Sequence, residues 1–94
     1  MQEQPVDPNT VRRDWAERGF SCEIWEDPPG REWNDFVHST DELVMVIEGD
    51  VEFEVGGKTH PPPPGEELFI PRGANPSVRN TGNTRATWLF GYNS

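Results

Sequence analysis

At 94 residues, 32% of them hydrophobic, the chain amounts to one small domain with a sparse core, in which ten aromatic side chains, four of them Trp, must supply much of the burial. Seventeen acidic against eight basic residues give a net charge of −9, which excludes nucleic acid and anionic membrane as expected partners, since both need an electropositive footprint. A single cysteine, Cys22, excludes an internal disulfide framework. No apolar run has the length of a membrane span, and the polar start MQEQPVDPNT is unlike a signal peptide, so the expected setting is cytoplasmic.

Residues 1–18 read as a polar N-terminal extension ahead of one domain over 19–94. Pro5 and Pro8 argue against a regular element before Asn9; a helix of one or two turns can follow, with Trp15 its one large apolar residue. Strands come next. Phe20, Cys22 and Ile24 alternate with Ser21, Glu23 and Trp25, and Asp27-Pro28-Pro29-Gly30 closes that segment as a turn. A second strand spans 33–38. Leu43 to Ile47 (LVMVI) is apolar on both faces, so both faces should be covered.

Val51, Phe53 and Val55 alternate with Glu52 and Glu54 as in a half-exposed antiparallel strand. Gly56-Gly57 is a two-residue hairpin turn returning through Lys58–His60. Four prolines, Pro61 to Pro64, cannot enter a sheet interior and form a surface connection. Three more strands fall at 68–70, 77–80 and 86–92. Some eight short strands with turn signals between them predict an all-β sandwich or barrel.

Two segments carry chemistry. In HSTDELVMVIEG, His38 precedes Glu42 by four positions, and Gly49 follows after six intervening residues. In GEELFIPRGANPSVRN, Gly65 is followed by five residues, Pro71, one residue, Gly73, and later Asn80. These spacings resemble the two motifs of the cupin superfamily over about residues 19–92, and the fifteen residues between Gly49 and Gly65 suit its small single-domain members. The resemblance implies a double-stranded β-helix, a jelly-roll barrel. It also implies a divalent transition metal at the barrel mouth, held by two His and one Glu from the first motif and a third His from the second.

Here His38 and Glu42 occupy two of the four ligand positions, and Phe36 and Pro76 occupy the others. Phe and Pro offer no side-chain electron pair, whereas an open Mn, Fe, Ni or Zn centre wants three protein ligands. Strand parity sets Asn34, Phe36 and His38 on one side, and Pro76, Val78 and Asn80 on one side. Asn34 and Asn80 are therefore the nearest substitute oxygen donors, and these residues together outline a pocket. Without metal, His38 and Glu42 form a buried hydrogen-bonded pair. His60 is expected at the surface. Trp88, Phe90 and Tyr92 alternate as core, while Arg72 and Arg79 face solvent or acidic partners.

Three functions follow from this pattern. The first is a small-molecule binder with a metal site that is weak or absent. The second is a metal-dependent oxygenase, isomerase or lyase using His38 and Glu42, with Asn80 or solvent completing the shell. The third is metal-free acid–base catalysis by His38 and Glu42. A homodimer is expected, because Leu43, Met45 and Ile47 would otherwise expose an apolar row. The acidic surface reads as a solvated sheet face or, with seven Arg against one Lys, as adaptation to salt.

Overall fold

The computed structural model describes residues 6–33 and 39–93. Asp7 caps a helix, α1 (Pro8–Glu17), by accepting the backbone N–H of Asn9 at 3.0 Å. Pro8 occupies the first helical position, where its missing N–H costs nothing and its fixed φ favours the helix. The helix thus runs ten residues, longer than the one or two turns expected from Asn9. Pro8 starts the element rather than breaking it.

Among the described residues eight strands follow: β1 (Glu23–Asp27), β2 (Glu32–Trp33), β3 (Glu42–Glu48), β4 (Val51–Val55), β5 (Lys58–His60), β6 (Glu67–Ile70), β7 (Ser77–Asn80) and β8 (Ala86–Tyr92). They form two antiparallel four-stranded sheets, ordered β1-β8-β3-β6 and β2-β7-β4-β5. Gly56 and Gly57, both at positive φ, make the β4–β5 hairpin turn that the sequence predicts. Among the described residues, no helix is long and apolar enough to cross a membrane.

Between the sheets lies one core. Val44, Val46, Ile70, Ala86 and Trp88 from the first sheet meet Val51, Phe53 and Val78 from the second. The Phe53 and Trp88 rings meet edge to face at 5.6 Å, a geometry favoured by the ring quadrupoles.

A second core lies on the opposite face of the first sheet. There Trp15, with no exposed surface, packs against Cys22, Leu43, Met45 and Leu89, flanked by Val6, Val11, Phe20 and Ile47. The row Leu43, Met45, Ile47, expected to need a second copy, is thus covered by α1 of the same chain. The row itself therefore calls for no dimer. Both faces of the LVMVI strand are covered, as expected. The Trp15 indole donates to Glu67 Oε1 at 3.1 Å, and Arg18 makes a two-pronged contact to both Glu67 oxygens at 2.7 and 2.8 Å. This contact holds the Glu67 carboxyl below its usual range.

Gly91 makes that docking possible. A Cβ at this position would run into the Ser21 carbonyl oxygen and lie 3.0 Å from the Trp15 ring. The register also settles which way β1 faces. Glu23, Trp25 and Asp27 pair with Phe90, Trp88 and Ala86, so these three face the inside. Cys22 belongs to the outer core beneath α1. His60, expected at the surface, is half-buried and pairs across the hairpin with Phe53.

Candidate functional site

Glu42 is the first residue of β3, and its cross-strand neighbours are Ile70 and Tyr92. Alternation along β3 puts Glu42 on the same face as Val44 and Val46, so the carboxylate points into the space between the sheets. It is only 1% exposed. Burial pushes its pKa up to about 7. Beside it, the Tyr92 hydroxyl is pushed up to about 12, first by burial and then by the negative charges of Glu42 and Glu23. Glu23, Phe90, Tyr92 and Glu42 thus form a neighbouring set on the inner face of β1, β8 and β3.

His38, Asn34 and Phe36 lie outside the described residues. Pro76 is fully buried, Val78 belongs to the central core, and Asn80 is 2% exposed. Asn80 has a different employment from the oxygen donor expected of it. Its amide NH2 donates to the carbonyls of Asp27, Pro28 and Thr84 at 3.2, 3.2 and 2.9 Å, and its Oδ1 accepts the Gly82 N–H at 2.9 Å. Both ends of the amide are engaged, stitching the turn after β1 to the loop after β7. The backbone N–H of Asn80 joins in by donating to the Arg31 carbonyl, and its carbonyl accepts from Gly30.

Asp27, expected in a turn, closes β1 instead, with 1% exposure. Its Oδ1 accepts the Trp25 indole N–H at 2.8 Å and its Oδ2 the Trp88 indole N–H at 3.0 Å. Asp before Pro-Pro-Gly has the composition of a turn, so the one available signal was its even spacing from Glu23 and Trp25. Asp27 pairs with Ala86 at the start of β8, at the far end of the sheet from Glu42 and Tyr92. At that far end, too, a cleft of about 400 Å³ lies beneath Pro61–Pro64, lined also by Gly49, Asp50, Val51 and Thr81. Among the described residues lining it, Asp50 carries the titratable side chain.

The buried carboxyl of Glu42 makes stability depend on pH. Its folded pKa lies above the ordinary carboxylate value, so the native state holds the proton more tightly than the unfolded chain. This contribution is intact below pH 4.5 and is lost as pH rises towards 7. Glu42→Gln removes the loss, and its stability advantage over the wild type should grow across that range to about 3 kcal/mol at most. Urea titrations of both proteins at several pH values measure the difference. A pH-independent gap would contradict the assignment.

Residues 23–92 match the Cupin domain family, and the chain belongs to that family. Its jelly-roll architecture recurs in solved structures. The plu4264 protein of Photorhabdus luminescens superposes with a TM-score of 0.73 at 18% identity, over 81% of this chain and 63% of that one. An oxalate oxidase gives 0.70 at 27% identity, over 82% and 43%. A cupin-superfamily sugar phosphate isomerase of Silicibacter pomeroyi gives 0.70 at 26%, over 81% and 51%. The chain therefore spans less than two thirds of each of these structures. No curated protein matches the sequence.

Pro76, which offers no side-chain donor, is buried, and the Asn80 oxygen accepts the Gly82 N–H. Among the described residues, no three His, Cys, Asp or Glu side chains converge.

Proposed function

We propose that this cupin is a binding protein whose metal site has been reduced and whose barrel mouth, beside Glu42, takes a small organic molecule. The observation that carries this reading is Pro76, buried where the family motif sets a histidine. With Phe36 at the other vacated position, the sequence leaves His38 and Glu42 as the remaining pair, one ligand short of a usable open centre. The test is the metal content of tag-free protein, alongside thermal shifts with Mn, Fe, Ni, Cu and Zn. Substoichiometric metal and no shift are expected, and one tightly held ion per chain would overturn the reading.

A companion variant checks the motif alignment. Pro76→His restores a His–Glu–His set and should raise Ni or Zn affinity by about tenfold or more, the scale on which a metal site responds to its supporting residues. Unchanged affinity, measured by competition with a metal-sensitive dye, would mean that position 76 does not face Glu42.

A second reading rests on Glu42 itself. A buried carboxyl with a pKa of about 7 is suited to give and take a proton near neutral pH, so metal-free acid–base chemistry by Glu42 with His38 is the alternative. Turnover with a bell-shaped pH profile that Glu42→Gln abolishes would favour it over simple binding.

A further inference from the structure

The inner face is not uniformly dry. At the end away from Glu42, the inward-facing Val51, Val78 and Ala86 are 0–3% exposed. Towards Glu42, Val44 and Ile70 are as closed, at 1% and 2%, but Phe90 and Tyr92 are only half-buried; Trp25, on the edge strand β1 and nearer the Asp27 end, is 40% exposed. Trp88, Phe90 and Tyr92 form a continuous aromatic column, with ring centroids 5.6 and 5.9 Å apart. Trp25, on the neighbouring strand, pairs with Trp88 beside it. Phe90 packs against the central core with part of its surface, and the rest of Phe90 and Tyr92 is reached by solvent.

Among the described residues, the charges that act on the Tyr92 end of this column are carboxylates. Glu42 pairs with Tyr92, and Glu23 pairs with Phe90 on the same face. Both carboxylates lie near enough to act on the Tyr92 hydroxyl. Oxalate-like dianions would meet two carboxylates and two ring faces, each presenting negative potential. A cation meets attraction from all four, since ring faces attract ammonium groups through their quadrupole.

Resting on the binding role proposed above, we infer that the ligand is an organic ammonium ion, seated against Phe90 and Tyr92 with Glu23 and Glu42 as its counter-charges. Ring faces and carboxylates together select a diffuse, methylated or alkylated cation over a compact metal ion, which would demand inner-shell donors.

The test titrates the whole chain at pH 8 with choline, its uncharged isostere 3,3-dimethylbutan-1-ol, and oxalate, following ligand NMR signals and tryptophan fluorescence. Choline should bind about tenfold or more tighter than the isostere, and oxalate should not bind. Tyr92→Leu should weaken choline by about fivefold and Tyr92→Phe should retain it, because the ring and not the hydroxyl makes the contact. Glu23→Gln, at an exposed position that should not disturb folding, should narrow the gap between choline and the isostere. Equal binding of the isostere, preference for oxalate, or an unaffected Tyr92→Leu variant would each overturn the cation assignment while leaving small-molecule binding in place. Failure of all three compounds also sinks it, whereas the reduced metal site stands or falls on metal content alone.

Discussion

Trp15→Ala should destabilise the protein by about 4 kcal/mol, the usual cost of emptying a fully buried aromatic site. Trp15 has no exposed surface and is the one buried residue of α1, so nothing else on the helix can replace its contact with Leu43, Met45 and Leu89. Its indole also donates to Glu67. In a domain whose whole stability is about 5–15 kcal/mol, such a loss should lower the melting temperature by about 20 °C and expose the LVMVI strand to an apolar dye. The neighbouring ion pair provides the contrast. Arg18→Ala removes an exposed, solvent-screened contact and should lower the melting temperature far less. Thermal melts of both variants measure this, and a Trp15→Ala protein melting within about 5 °C of the wild type would show that α1 is not a structural part of the sheet.

Asp27→Asn is the second large effect, and it arises from geometry rather than volume. Each carboxylate oxygen accepts one indole N–H, from Trp25 and from Trp88. Asparagine keeps one acceptor and turns an NH2 towards the other indole, setting donor against donor inside the protein. The expected cost is about 2–3 kcal/mol, most of it the desolvation of an N–H left without an acceptor. Asp27→Ala leaves both indoles without this acceptor and should cost at least as much. Urea unfolding of the near-isosteric Asn variant is the sharper measurement, and a change under about 0.5 kcal/mol would mean that the two indole hydrogen bonds do not contribute.

The fold was largely readable from residue spacing. Alternation in Val51, Phe53 and Val55 and the Gly56-Gly57 pair led to an all-β sandwich or barrel, because strand period and turn chemistry are local properties, and the family resemblance of the two spaced motifs implied the jelly roll. The inward, buried position of Glu42 was legible for the same reason. What escaped were residues whose partners are distant in the chain. Pro8 read as a breaker because its role depends on Asp7 capping the helix. Asp27 read as a turn residue because Trp88, which it binds, lies 61 positions away. Asn80 read as an oxygen donor because the carbonyls of Asp27, Pro28 and Thr84 converge on it through tertiary structure. The exposed apolar row was inferred without its cover, since a polar helix with one tryptophan gives little periodic signal.

That cover has a consequence for where this protein begins as a physical object. The family match starts at residue 23, whereas Trp15, Phe20 and Cys22, which line the outer core, all lie before it. The family match and the packed core have different boundaries. A barrel cut at residue 23 would keep every motif residue and lose the side chain that separates its middle strand from water. Inheritance draws the domain around the motifs, and solvent draws it around the tryptophan.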